Sequence, residues 1–127
     1  MPARVVLVHD DAAFLGVLAG RLRQPGHDVA AYSDAMTAYD VLKGATQIEV
    51  LVTRAVFPPN QPHGGALIVV AGLRRPSFRT IILATPEVAD RIHVGDYRFI
   101  MPVESDEVVQ AVETLLNSVA DQKTTPS

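Results

Sequence analysis

The sequence predicts an α/β fold, a three-layer sandwich in which a doubly wound, five-stranded parallel sheet of order 2-1-3-4-5 lies between helices. Three observations lead there. Val5, Val6, Leu7 and Val8 form an apolar, largely β-branched run without alternation, the pattern of a parallel strand buried on both faces. Strand-like and helix-like segments then alternate five times with short connections, and right-handed crossovers place such helices on both faces of the sheet. Finally, Asp10 and Asp11 fall at the carboxyl end of the first run, where open α/β sheets bind their ligands.

After the acid pair, Leu15, Leu18 and Leu22 recur at helical spacing with Arg21 and Arg23 off the stripe, and Pro25 with Gly26 stops the helix. Asp28 to Tyr32 is a weakly patterned second strand. Ser33 or Asp34 caps a second helix that turns Ala38, Val41 and Leu42 inward, and Gly44 is placed to end it in the left-handed conformation. The third strand, Ile48 to Thr53, has the apolar interior Val50, Leu51, Val52 and is followed by Arg54 instead of an acid. Phe57 to Gly65 holds three prolines and two glycines and is a loop. Ala66 to Arg75 is read as a helix ending before Pro76, although Leu67, Ile68, Val69 and Val70 have strand propensity.

Arg79 to Ala84 is the fourth strand, and Thr85 with Pro86 starts a helix, since proline at the first helical position loses no needed donor. That helix must be short, because Gly95 and the fifth strand, Tyr97 to Met101, follow closely. Ser105 caps the last helix. There Asp106 and Glu107 suit the positive end of the dipole, and Val108, Val112, Leu115 and Val119 form the buried stripe. The domain is expected over 1–120, with 121–127 as a disordered polar tail.

Composition excludes several function classes. At 127 residues, 48% apolar and 20% charged, the chain suits one domain with a true core. A net charge of -3 argues against nucleic-acid binding through a general basic surface. With no cysteine, disulfides and thiolate chemistry are out. Met1, Pro2, Ala3 and Arg4 lead straight into a strand-length segment too short for a signal core or a membrane span, so no membrane association and a cytoplasmic location are expected. His9, His27, His63 and His93 lack ligand spacing and are assigned to the surface or to loops. The loop around His63 and Gly64 lacks the phosphate-binding pattern, and Arg74, Arg75 and Arg79 read as a solvated cluster.

Asp10 and Asp11 after strand one, Thr85 after strand four and Pro102 just past strand five make the chain resemble the receiver domain of bacterial two-component response regulators, over about Arg4 to Val119. The resemblance implies the CheY-like, flavodoxin-like arrangement, here with a shortened fourth helix. In that family the acid pair and a third aspartate ending strand three bind magnesium. The third aspartate accepts a phosphoryl group from a histidine kinase, the hydroxyl residue follows the phosphate, and a lysine before the proline pairs with it.

Carried over position by position, the resemblance breaks at the chemistry. The phosphoacceptor position falls on Arg54, the lysine position on Met101 and the aromatic switch position on Arg98, between Tyr97 and Phe99; the switch hydroxyl falls on Thr85. A guanidinium is neither nucleophilic nor deprotonated at physiological pH, so Arg54 is no phosphoacceptor. Two carboxylates beside a fixed cation lack a ligand for magnesium, so binding is expected to be weak or absent, and no cofactor is implied. If any metal is held, Asp10 and Asp11 hold it. Met101 agrees with this: without a phosphate, no ammonium is needed.

Arg54 can instead act as internal counter-ion to the acidic pocket of Asp10 and Asp11, its planar fork suiting carboxylates. At about 4 Å and an effective dielectric near 20 such a pair is worth roughly 4 kcal/mol of Coulomb energy before desolvation reduces it. The acid pair could alternatively serve as a helix cap. The resulting expectation is a phosphorylation-independent, non-enzymatic receiver-like domain that binds a signalling protein such as a histidine kinase or another regulator, or a second copy of itself. The alternatives are an ordinary phosphorelay receiver using another acceptor residue and a small haloacid-dehalogenase-type phosphatase. The latter needs Asp-x-Asp, whereas Ala12 follows adjacent acids here.

Overall fold

The computed structural model describes residues 4–44, 47–75, 77–93 and 95–124, with backbone alone for 118–124. Pro76, the side chain of Val119 and residues 125–127 of the expected tail fall outside the described residues. In chain order the elements are β1 (Arg4–Val8), α1 (Ala12–Arg23), β2 (Asp28–Tyr32), α2 (Ala35–Leu42), β3 (Val50–Arg54), α3 (Gly64–Gly72), β4 (Arg79–Ala84), α4 (Pro86–Ala89), β5 (Tyr97–Ile100) and α5 (Ser105–Thr124). The strands form one sheet of order β2-β1-β3-β4-β5, every pairing parallel. This is the predicted topology.

Burial on both faces explains the unalternating strands. Val5, Leu7, Val50, Val52, Ile81 and Leu83 point into one apolar layer, where Leu15, Leu18 and Leu22 of α1 and Val108 and Val112 of α5 meet them. Val6, Val8 and Leu51 point into the other, against Ala38 and Leu42 of α2 and Leu67 and Val70 of α3. Each fully buried valine or leucine contributes about 1.5–3 kcal/mol relative to exposure, which makes this two-sided core the main stabilising term. Among the described residues no helix is long and apolar enough to cross a membrane.

Several local expectations are corrected. Gly44 is not left-handed: α2 ends through Lys43 in right-handed geometry, and the Gly44 N–H donates to Val41 O at 3.0 Å. Positive φ falls instead on Gly26, at 102° in the turn after α1, and on Gly95, at 98° before β5. Val41 is only half-buried. β3 begins at Val50, not Ile48; α3 runs from Gly64 to Gly72, and β5 stops at Ile100. Ser105 is the first residue of α5, not its cap; Glu104 O accepts from Val108 N–H, while the Glu107 carboxylate reaches back to Glu104 N–H at 3.2 Å. Such a returning side chain is half of a capping box. The last helix runs to Thr124, with neither glycine nor proline in its sequence.

Arg75 is buried, not solvated. Its guanidinium donates to Leu42 O and Ala71 O, both at 3.0 Å, and to Gly44 O at 3.2 Å. The last carbonyls of a helix lack internal partners, so one cation here serves the ends of both α2 and α3.

The start of α3 is packed directly on the end of β3. Gly64 N–H donates to Ala55 O at 3.0 Å, and a Cβ on Gly64 would lie 2.2 Å from the Arg54 carbonyl oxygen. Backbone cannot yield there as a flexible side chain would. Gly64→Ala is therefore expected to cost about 1–3 kcal/mol, the scale of overpacking. Gly16→Ala, whose added methyl meets nothing within 4 Å, should instead gain about 0.5–1 kcal/mol from helix propensity. Urea denaturation of both variants beside wild type checks the pair of signs.

Candidate functional site: the crevice at the ends of β1 and β3

Parallel pairing of β1 with β3, with Val8 opposite Thr53, sets their carboxyl ends side by side. Asp10 and Arg54 leave those ends, and Arg54 Nη1 donates to Asp10 Oδ1 at 2.7 Å. Their side chains are 31% and 21% exposed, so the pair lies between surface and interior. Asp11 has a different task. It caps α1, accepting from Ala13 N–H at 3.1 Å and Phe14 N–H at 3.2 Å. Both readings of the acid pair thus hold, one for each residue.

His9 lies in the loop after β1, one of the two placements expected for it, and sets the turn there. It is buried, with its ring 4.9 Å from that of Phe14, and its Nδ1 accepts the Asp11 N–H at 2.9 Å. Burial pushes the imidazole below its usual pKa, and the positive charge of Arg54 pushes it further, against smaller opposing effects of Asp10 and Asp11. For Asp10, burial alone would raise the carboxyl, but the hydrogen bond from Arg54 and its charge outweigh that and hold it below the usual carboxylate range. Of the remaining histidines, His27 Nε2 meets Glu113 Oε1 at 2.7 Å, and exposed His63 accepts the Phe57 N–H through Nδ1 at 2.9 Å, closing the loop before α3.

A cavity of about 480 Å³ opens above this floor, with Phe14, Met101, Pro102 and Val103 as its apolar wall. Met101 also packs against the core shared by α1 and α5. Thr85 lies outside the lining; it stands at the N-cap of α4, where its side chain makes no capping hydrogen bond. Arg98 points away as well. Its Nη1 donates to Ala89 O at 2.8 Å and Ile92 O at 3.0 Å, tying β5 to the end of α4. Tyr97 is exposed, whereas Phe99 is half-buried against the core beneath α5.

The donor set does not fit magnesium. Asp11 is engaged by two backbone donors and Asp10 by a guanidinium, so a dication would have to displace a fixed charge at 2.7 Å. Among the described residues no group of three or more histidine, aspartate or glutamate side chains is arranged to hold a metal.

No protein-family model and no curated protein matches the chain in sequence. Solved structures do match it. A response regulator receiver protein from Sinorhizobium medicae WSM419 superposes with a TM-score of 0.78 at 25% identity, covering 91% of this chain and 95% of that one. A CheY-like receiver domain protein from Methanospirillum hungatei JF-1 gives 0.78 at 17% identity, over 96% and 99%. A receiver domain protein from Clostridium thermocellum gives 0.77 at 17%, over 93% and 97%. The fold is therefore that of response-regulator receiver domains, CheY-like and flavodoxin-like.

Three outcomes are expected at this site. Because the folded pKa of His9 lies below its unfolded value of about 6.5, the unfolded state binds more protons in that window. Stability is then complete above that value and lost as pH falls through the folded pKa. Asp10, also depressed, adds a second loss below about 3.9. Unfolding free energy measured against pH should fall in two steps, and His9→Asn, whose amide oxygen can still accept the Asp11 N–H, should remove the first. A first step unchanged in that variant would assign it elsewhere. Arg54→Asp should raise magnesium affinity by restoring a third carboxylate, as titration calorimetry can read; unchanged affinity would contradict the counter-ion role. Arg54→Ala should cost about 1 kcal/mol or less, since Asp10 keeps access to water and the variant removes the buried Arg54 Nε, which has no hydrogen-bond partner.

Proposed function

We propose that this chain is a non-enzymatic, receiver-like signalling domain of a two-component pathway, held in one state and acting in the cytoplasm by protein–protein interaction without aspartate phosphorylation. The observation that carries the reading is the Arg54–Asp10 contact of 2.7 Å at the end of β3. A cation fills the place where the resembled family needs a nucleophilic carboxylate, and it neutralises an acid that would otherwise help to hold a metal. Met101 in the cavity wall supplies no charge to steady a phosphate.

A second arginine supports the single-state reading. With Arg98 hydrogen-bonded to two carbonyls at the end of α4, the face formed by α4, β5 and α5 is braced where a receiver would move an aromatic side chain. The partner, a histidine kinase or another regulator, would then meet a permanently formed surface, with exposed Tyr97 as its aromatic anchor.

The direct test is treatment with acetyl phosphate, or with beryllofluoride, in the presence of magnesium. Intact mass and amide NMR spectra should be unchanged. A stoichiometric phosphoryl adduct on Asp10 or Asp11 would sink the proposal and establish an ordinary phosphorelay receiver with a displaced acceptor. Turnover of a phosphomonoester would favour the haloacid-dehalogenase alternative. For the binding face, Arg98→Ala and an α5 surface charge reversal should both weaken capture of the cognate partner relative to a Lys43→Ala control. Equal capture by all three would move the interface off this face.

A further inference from the structure

The cavity above the crevice floor offers hydrogen-bonding capacity that the chain itself does not use, and His9 carries the clearest surplus. The residue is only 8% exposed, and its Nδ1 accepts the Asp11 N–H at 2.9 Å. An imidazole nitrogen that accepts a hydrogen bond holds no proton, so the neutral ring carries its N–H on Nε2. Burial and the Arg54 charge both favour that neutral form. Nε2 has no hydrogen-bond partner among the described residues, yet it is not sealed off, since the side-chain nitrogens both buried and unpartnered are Arg4 Nε and Arg54 Nε. His9 lines the cavity, and a donor on a ring more than nine-tenths buried is costly to leave unmade.

The rest of the lining restricts what can satisfy that donor. Phe14, Met101, Pro102 and Val103 form an apolar wall, and about 480 Å³ lies within the range of small-molecule pockets. Both acids of the floor are already engaged. Asp10 holds the Arg54 guanidinium at 2.7 Å, and Asp11 Oδ1 accepts two amides at the start of α1. A cation would therefore compete with Arg54 for Asp10, and an anion would meet two carboxylates against one guanidinium. What fits is a neutral acceptor on an apolar body.

We propose that this cavity is a binding site for a neutral, largely apolar small molecule whose carbonyl oxygen accepts a hydrogen bond from His9 Nε2–H while its body lies against Phe14 and Met101. Met101 sets the class, because an adaptable thioether wall takes apolar surface where an ammonium would take an anion. The inference rests on the reading of the crevice as free of metal and phosphoryl group, and it names the kind of molecule that enters instead. Since Arg54 stays on Asp10, occupancy requires no second state of the domain.

An NMR titration of the whole chain with three probes built on one benzyl group tests it. Phenylacetamide, phenylacetate and phenethylammonium present a neutral carbonyl, an anion and a cation. Phenylacetamide should shift the backbone amides of Asp11, Phe14 and Val103 saturably at millimolar concentration, and the two ions should bind at least about tenfold more weakly. His9→Asn, which keeps an acceptor for the Asp11 N–H but withdraws the Nε2 donor, should weaken phenylacetamide about tenfold. Met101→Lys should reverse the order, losing the amide and admitting phenylacetate. A readout on the native chain stands apart from the folding of either variant: imidazole nitrogen spectra should show the His9 proton on Nε2, and phenylacetamide alone should move that resonance. No saturable shift up to about 30 mM phenylacetamide, equal binding of the three probes, or a His9 proton on Nδ1 would each overturn the proposal. Treatment with acetyl phosphate separates the two readings. If no adduct forms, failure of the probes removes this inference alone, whereas an adduct on Asp10 or Asp11 removes both.

Discussion

Burial of the sheet on both faces is the constraint from which the other features descend. Once Val5 to Val8, Val50 to Val52 and Ile81 to Ala84 have apolar neighbours above and below, each strand must return through a crossover that covers one face. The loops then gather at the carboxyl ends. Backbone there is not shielded by a strand partner on every side, and short side chains can satisfy it: Asp11 accepts two α1 amides, and His9 accepts the amide of Asp11. The crevice is therefore a product of the same parallel topology that makes the core.

Within that crevice one substitution type changes what the topology can do. An acid at the end of β3 would stand beside Asp10 as a like charge and would require a cation from solution to be tolerable. Arg54 supplies the cation through the chain itself, at 2.7 Å and already partly desolvated. A covalently tethered counter-ion has no binding equilibrium to shift, which is the physical basis of the proposed single-state reading. At the far edge Arg98 likewise spends its guanidinium within the chain, donating to Ala89 O at the end of α4 and to Ile92 O just beyond it.

Much of this was legible in the sequence, for reasons that can be named. Strand β1 declared its double burial by failing to alternate, and a strand order that pairs β1 with β3 was enough to bring residue 54 to residue 10. The short α4 followed from how soon Gly95 and Tyr97 arrive. What escaped was set by partners distant in sequence or by near-equal neighbours. Nothing local to Arg75 reveals that Leu42 O and Gly44 O will surround it. The burial of His9 depends on the Phe14 ring folding back from the first turn of α1. Ser105 is a better intrinsic cap than Glu104, and the choice between them was made by Glu107 reaching back. Asp10 and Asp11 look alike in the chain, and only the direction of α1 decides which of them becomes its cap.

The division of labour between those two aspartates also explains why the acid pair alone was a weak indicator of function. A carboxylate that caps a helix and one that binds a cation occupy adjacent positions with the same composition, and the first task is served in every state of the protein. It is the residue at the end of β3 that decides whether Asp10 faces another carboxylate or, as here, a cation. There the magnitudes decide: a partly buried ion pair nets only a small part of its Coulomb energy after desolvation, and Arg54 leaves its buried Nε without a partner. The pair therefore contributes little to stability. What the contact does is neutralise Asp10 from within the chain at 2.7 Å, and that is the physical ground of the proposed single-state reading.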